Sequence, residues 1–131
     1  MAVTLSEAVK ALVDGRNFAT ISTVNADGSP HSAVMWITRD GEDLLFSTLQ
    51  GRKKERNLRR DPRVSVSVWD QDGPESYAEL RGTVTITEDE GGAVKDALAH
   101  KYTGKPFPEE APGSVRVVLR VSVDRVTGHT T

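Results

Sequence analysis

The sequence has 131 residues, a formal net charge of −2 and no cysteine. A chain of this length has room for one domain, since domains typically contain about 100–200 residues, and we expect a single domain over residues 1–131. The lack of cysteine excludes disulfides, thiolate metal sites and cysteine nucleophiles. The N-terminus has neither the apolar run of a signal peptide nor a segment long enough to span a bilayer. We therefore expect a cytoplasmic protein with no membrane partner.

Positive charge is concentrated in one short segment, residues 52–60. The segment contains six cationic side chains and one anionic side chain, so it carries +5 while the rest of the chain carries −7. A nucleic-acid-binding protein usually spreads positive charge over a face, with aromatic residues interleaved. Confinement of the charge to one element of an acidic protein instead favours a small anion as ligand, and we expect no nucleic-acid partner.

The first predicted elements are a helix and a strand. An apolar stripe with helical spacing opens the chain, formed by Leu5, Ala8, Val9, Leu12 and Val13. Thr4 and Glu7 have capping-box spacing at the start of this helix, and Gly15 stands where a C-terminal cap belongs. Residues 17–24 are rich in Thr, Ile and Val and predict a strand, which a turn at residues 25–28 follows.

The next segments predict a second strand pair and the basic helix. Strands are expected over residues 32–38 and 43–48, around a turn at residues 39–42. Gly51 ends the second of these strands. Residues 52–60 predict a short helix that stops at Asp61-Pro62.

The second half of the chain predicts two more strands, a helix and a closing strand. Alternating valines indicate a strand over residues 64–69, and a polar loop is expected at residues 70–75 before a longer strand over residues 78–86. A helix over about residues 92–102, a loop at residues 103–113 and a strand over residues 117–123 complete the chain. Six strands without βαβ alternation predict a mainly β fold. We expect a six-stranded antiparallel β-barrel with flanking helices, because closure removes exposed sheet edges.

The basic helix contains the strongest candidate site. Its only apolar side chain, Leu58, must face the barrel, and the helical neighbours of Leu58 are Lys54 and Glu55. Lys54 is therefore expected to point toward the protein body, unlike Arg56 and Arg59. The preceding glycine and the first-turn amides favour an anion at this place. The alternative is a solvated helix in which the Lys54 stem covers apolar surface.

Other kinds of site find little support. The histidines His31, His100 and His129 are scattered without metal-ligand spacing, so we expect no metal site. No Gly-rich phosphate loop of the Walker or dinucleotide type is present. Glu109 and Glu110 lie in a proline-rich segment and are expected to be solvated. No catalytic residue is identified.

Several segments resemble the pyridoxamine 5′-phosphate oxidase-like split-barrel family. The most specific runs from Phe46-Ser47-Thr48 through Gly51-Arg52-Lys53-Lys54 to residues 56–64, and residues 27–36 and 76–83 are similar in order and spacing. The resemblance covers nearly the whole chain. It is greatest to the branch that uses the deazaflavin coenzyme F420 rather than FMN.

The resemblance implies an oxidoreductase of the FMN-binding split-barrel type. Its activity would be transfer of a hydride from reduced F420 to an unsaturated organic small molecule. An FMN-binding oxidoreductase and a non-catalytic flavin- or F420-binding protein remain alternatives. Arg52 and Lys54 would bind the cofactor phosphate with the help of Lys53. The other cofactor-binding residues are expected to be Val34, Met35, Trp36, Ser47, Thr48, Asn57, Trp69 and Tyr77.

Size bears on the oligomeric state. A small barrel fills its interior with side chains, so the three-ring system of a flavin or deazaflavin cannot bind inside it. Part of its binding surface must then come from outside the barrel. Trp69 and Tyr77 could supply that part from a symmetric partner. The resembling family also places its cofactor at a two-fold interface, which predicts a homodimer with the cofactor between its subunits.

Overall fold

The computed structural model describes residues 2–131 and consists of seven strands and three α-helices, with one 3₁₀ turn at Glu90–Gly92. The helices are α1 (Glu7–Asp14), α2 (Lys53–Arg60) and α3 (Ala93–Thr103). The strands are β1 (Ala19–Val24), β2 (Pro30–Met35), β3 (Thr38–Asp40), β4 (Asp43–Leu49), β5 (Arg63–Asp70), β6 (Gly73–Glu88) and β7 (Arg116–Thr127).

All seven strands belong to one antiparallel sheet, in the order β2-β1-β5-β6-β7-β4-β3. Strands β2 and β3 are thus its opposite edges, yet β2 ends at Met35 and β3 begins at Thr38. Three residues of extended chain reach about 10–11 Å at most. The two edges must therefore lie close together, and the sheet is rolled into the predicted barrel. The barrel is split between β2 and β3, where the chain crosses from one edge to the other at Trp36-Ile37.

The seventh strand corrects the prediction of a single strand over residues 32–38. β2 pairs with β1, as in Ile21 opposite Ala33, whereas β3 pairs with β4, as in Thr38 opposite Leu45. The break falls at Ile37, which is fully buried. Its backbone groups bond to side chains of α3 and not to a strand: its amide donates to the Tyr102 hydroxyl, and its carbonyl accepts from Lys101. A periodicity of two along the chain does not reveal this change of partner.

Two further boundaries differ from the sequence prediction. The N-terminal cap of α1 is Ser6 and not Thr4, since the Ser6 hydroxyl accepts a hydrogen bond from the Val9 amide at 3.1 Å. β6 begins at Gly73, so the expected polar loop at residues 70–75 is only a tight turn between paired strands. Proline is tolerated there because the pairing is already irregular, with a register shift after Trp69.

Side chains fill the barrel, and the helices cover its outside. Phe46, Ile21 and Leu119 are fully buried in the core, and Leu58, 2% exposed, joins the core from α2 as predicted. A ligand must therefore bind outside the barrel. No helix within residues 2–131 has the length and apolarity needed to cross a bilayer.

Candidate functional site

A cleft of about 270 Å³ lies outside the barrel, where β2, β4, the start of β7 and helices α2 and α3 meet. It brings together five residues that the sequence singled out, from three separate segments: Val34, Met35, Trp36, Ser47 and Lys54. Sequence reasoning missed the other five lining residues, which are Phe18, Lys95, Leu98, Phe107 and Arg116. Their spacing along the chain carries no common signal.

Lys54 is the centre of positive charge in this cleft. It is half-buried and has no hydrogen bond or ion pair with any group in residues 2–131, whereas Arg56 and Arg59 are exposed as the helical spacing predicts. Burial lowers the pKa of Lys54 below its usual 10.5, and the nearby charges of Arg52 and Arg116 lower it further. A desolvated ammonium group among like charges gains free energy from an anion, so this place is suited to anion binding.

The bend between β4 and α2 places Lys54 in the cleft. Gly51 has a φ of +94°, in the left-handed region that glycine adopts without a steric penalty. Its amide donates to Glu55 Oε1 at 2.9 Å, which ties the bend to the first turn of α2. The N-terminal cap, Arg52, makes no side-chain capping bond, so the first-turn amides of the helix remain available to a ligand.

Glu55 is a buried carboxylate that holds this bend in place. It is 1% exposed and forms an ion pair with Arg59 in addition to its bond from Gly51. Burial opposes its ionisation, but the Gly51 amide and Arg59 outweigh burial and keep the pKa of Glu55 below its usual value. Arg59 is therefore part of the support of the bend, and not a free outward charge.

A second cationic group, Arg116, lines the same cleft and lies close enough to Lys54 for its charge to lower the pKa of that lysine. The guanidinium of Arg116 bonds to Glu110 at 2.9 Å and reaches the Ser47 hydroxyl at 3.3 Å. Glu110 also lies 3.5 Å from Lys95, and the Phe107 ring packs with its centroid 4.7 Å from the guanidinium carbon of Arg116. These contacts hold the proline-rich segment against the cleft. The expectation that Glu110 is solvated is wrong, because its side chain is only 18% exposed.

Val34 to Trp36 form the apolar wall. As an edge strand, β2 leaves one row of backbone N–H and C=O groups outside the sheet. Val34 is 66% exposed, and within residues 2–131 it is the one large hydrophobic residue that is classed as exposed. Met35 and Trp36 are half-buried. Such a wall suits the edge of a planar molecule that has both apolar and hydrogen-bonding groups.

Two of the expected cofactor-binding residues support the barrel instead of lining the cleft. Thr48 is 4% exposed and faces the barrel interior, opposite in direction to Ser47. The Asn57 amide nitrogen donates to Thr23 Oγ1 at 3.0 Å and Asn25 Oδ1 at 2.9 Å, so it fastens α2 to β1 and the turn that follows.

The remaining expected residues lie at other surfaces. Arg52 and Lys53 are exposed at the start of α2, near the cleft but not in its wall. Trp69 and Tyr77 are paired across β5 and β6 and do not line the cleft of their own chain. Within residues 2–131 there is no group of three potential His or carboxylate ligands that could hold a metal ion.

Fold and cleft together define a class of protein: a split β-barrel with a half-buried lysine beside an apolar sheet edge. The family model described as pyridoxamine 5′-phosphate oxidase matches residues 5–130. The chain therefore belongs to that family, whose named relatives here are oxidoreductases.

Three relatives illustrate the similarity. An F420H(2)-dependent biliverdin reductase of Mycobacterium tuberculosis is 28% identical over 128 residues, which cover 95% of this chain and 88% of that protein. A solved structure of an F420 reductase superposes with a TM-score of 0.84 at 33% identity, over 94% of this chain and 98% of that one. A pyridoxine/pyridoxamine 5′-phosphate oxidase of Kineococcus radiotolerans is 33% identical over 60% of this chain and 34% of its own length.

Proposed function

We propose that the protein is an F420-dependent reductase that acts on an unsaturated organic small molecule in the cytoplasm. The observation that carries the proposal is Lys54, a half-buried cation without an anionic partner beside the open edge of β2. The names of the F420-dependent relatives, which match over almost the whole chain, support F420 as the cofactor.

The residues of the cleft fit a phosphorylated ring compound. Lys54 would bind the phosphate, with Arg116 and the amides at the start of α2 nearby, and the Ser47 hydroxyl could donate to the same group. Val34 and Trp36 would lie along the ring. Reduced F420, when bound, supplies a hydride, so the protein needs to position and shield the reactants more than to supply a nucleophile.

Water exclusion is the second task of the cleft. Phe18, Met35, Trp36 and Leu98 provide apolar lining in the same cleft as Lys54 and Arg116. Apolar and cationic lining in one cleft suits a molecule that has both a hydrophobic ring and an anionic group. No side chain of the cleft is assigned a proton-transfer role.

Parallel titrations of the purified protein with F420 and FMN, followed by turnover of F420H2 with candidate acceptors, test this proposal. We expect F420 to bind more tightly than FMN and its reduced form to be consumed only when an acceptor is present. Tighter binding of FMN would favour the alternative that the oxidase relative suggests. Tight binding of F420 without turnover on any acceptor would favour a non-catalytic binding protein.

We further propose a homodimer in which each cofactor site uses both chains. The cleft of one chain, about 270 Å³, is smaller than the roughly 300–1,000 Å³ of typical ligand pockets. Val34 presents exposed apolar surface at its rim. Trp69 and Tyr77 do not line the cleft of their own chain, so in the proposed dimer they would contribute to the site of the partner.

Light scattering at low micromolar concentration is expected to give twice the chain mass of 14.3 kDa. An obligate dimer of this kind buries more than about 2,000 Å² in total. Val34→Glu would place a charge in the buried interface and is expected to produce monomers that bind F420 weakly. A wild-type monomer that binds F420 tightly would contradict the shared site.

The F420 tail of linked glutamates provides another prediction. Arg59 is paired with Glu55, and Arg60 bonds to the Val24 carbonyl at 2.8 Å, which leaves Arg52, Lys53 and Arg56 to attract the tail. Affinity is therefore expected to rise with tail length at low salt, and this gain should shrink as salt increases, because exposed charges are screened beyond about 8–10 Å. A gain that salt does not alter would argue against these side chains.

The affinity for F420 is also expected to change with pH in the alkaline range. The pKa of Lys54 is lowered in the free protein, and a bound phosphate would raise it, so binding takes up a proton between the two values. Affinity should be constant below the lowered pKa and fall as pH rises through it, below 10.5. In Lys54→Arg this fall should vanish, since arginine stays protonated. An identical pH profile in the variant would exclude Lys54 as the cause.

A further inference from the structure

A second cavity adjoins the cleft and has no assigned role. It is a groove of about 560 Å³, lined by Arg16, Asn17, Phe18, Trp36, Gln71, Asp72 and Tyr102. Phe18 and Trp36 line both the groove and the cleft. The cleft and the groove therefore share a border, and a molecule in each could meet there, as the two reactants of a hydride transfer must.

Three aromatic rings form one flat stack at this junction. The Tyr102 ring lies 5.3 Å from Trp36 at an interplanar angle of 5°, and 5.9 Å from Phe18 at 20°. The Tyr102 hydroxyl donates to the Asn17 carbonyl at 2.5 Å and accepts from the Ile37 amide at 3.2 Å, which locks the central ring. Trp36 and Phe18 are half-buried, so a preorganised aromatic surface is offered to a planar molecule.

Arg16 provides a positive charge on the rim of the groove. One of its terminal nitrogens donates to the Tyr102 carbonyl at 3.0 Å, which holds the guanidinium in place. No carboxylate of residues 2–131 lies within 4.0 Å of its nitrogens, so its other donors remain available. Asp72 lines the same groove without forming an ion pair to Arg16, and it offers an acceptor.

We infer that this groove binds the acceptor, and that the acceptor is a planar conjugated carboxylate with an N–H or O–H donor. Its carboxylate pairs with Arg16, its donor faces Asp72, and its plane packs on the aromatic stack. The assignment as acceptor rests on the proposed reductase function. One π bond of the acceptor would take up a hydride from F420H2 and a proton from water, while F420H2 is oxidised to F420 and returns one proton to water.

Calorimetric titration with indole-2-carboxylate, in the absence of any cofactor, tests the groove directly. The neutral amide, indole-2-carboxamide, has nearly the same shape and the same ring N–H but no charge, so the difference in affinity between the two reports the contribution of the negative charge. We expect the wild-type protein to prefer the carboxylate. Arg16→Gln should lower carboxylate affinity about tenfold without changing amide affinity, and Arg16→Lys should retain part of the preference.

Arg125→Gln is the matched control, because Arg125 is an exposed arginine on β7 that lies outside the groove. It should leave both affinities unchanged. The inference would be overturned if Arg16→Gln and Arg125→Gln lost the same amount of affinity for indole-2-carboxylate. It would also be overturned if the wild-type protein showed no preference for the carboxylate over the amide. Lys54→Ala separates the two proposals: it should lose F420 affinity and keep the affinity for indole-2-carboxylate. Failure of F420 binding would thus leave the result on the groove interpretable.

Discussion

Replacing Lys54 by alanine is expected to weaken F420 binding by about 1.5–3 kcal/mol, or roughly ten- to hundredfold, the range for a charge-assisted hydrogen bond. Lys54 is half-buried in the cleft with no other partner in the part of the chain that the structure describes, so no neighbouring contact compensates for its loss. The melting temperature should be unchanged or slightly higher, since the variant removes a desolvated cation. Fluorescence titration of F420 against both proteins measures the effect.

Arg56→Ala is the appropriate control for this experiment at high salt, where the attraction of Arg56 for the glutamate tail is screened. Arg56 lies on the same helix and carries the same charge, but it is exposed and makes no side-chain hydrogen bond or ion pair within residues 2–131. Arg59, which the helical spacing marks as an equally outward charge, is unsuitable because it forms an ion pair with the buried Glu55. Equal losses of F420 affinity in Lys54→Ala and Arg56→Ala would show that α2 attracts the cofactor only through its overall positive charge.

Gly82→Ala is expected to lower the free energy of unfolding by about 3 kcal/mol, at the upper end for overpacking of a core. An added Cβ would lie 2.0 Å from the Ser122 carbonyl oxygen and 2.9 Å from its carbon, both backbone atoms that cannot rotate away. Gly82 also follows the register shift between β6 and β7, where the two strands approach closely. Urea denaturation followed by circular dichroism gives the change.

Gly41→Ala provides the comparison. Gly41 has a φ of +60°, but an added Cβ would meet no atom within 4 Å. Only the left-handed conformation penalises alanine there, by about 1–2 kcal/mol. The clash at Gly82 should therefore cost more than the strain at Gly41. A smaller loss for Gly82→Ala would mean that β6 and β7 can separate at the bulge without penalty.

The orientation of the basic helix illustrates what could be predicted. One apolar residue among eight, Leu58, sufficed to orient α2, because a helix repeats every 3.6 residues and its buried face is then determined. Lys54 and Glu55 do turn inward, and so does Asn57, which the spacing from Leu58 did not indicate. The same reasoning could not show that Glu55 is an internal support. That role needs the Gly51 amide and Arg59 at particular positions in space.

The split of the barrel illustrates what could not be predicted. Residues 32–38 alternate as one strand would. The change of strand partner appears only in three dimensions, where β2 pairs with β1, β3 pairs with β4, and the Ile37 amide between them donates to Tyr102, 65 residues away. Trp36 lies at that break, and Phe18 and Arg116 join it from distant segments to form the cleft. Spacing along a chain reports neighbours within one element, and it contains no information on which elements meet.

The sequence by itself determined the mainly β fold, the family and the position of the basic helix, because each follows from local periodicity or from a continuous motif. The tertiary structure alone decided the number of strands, the lining of the cleft and the groove beside it. Barrel closure brings β2, β4, β7 and α3 together over long sequence separations, and it turns Thr48 inward while Ser47 faces the cleft. Which side chains share a site is a property of that closure.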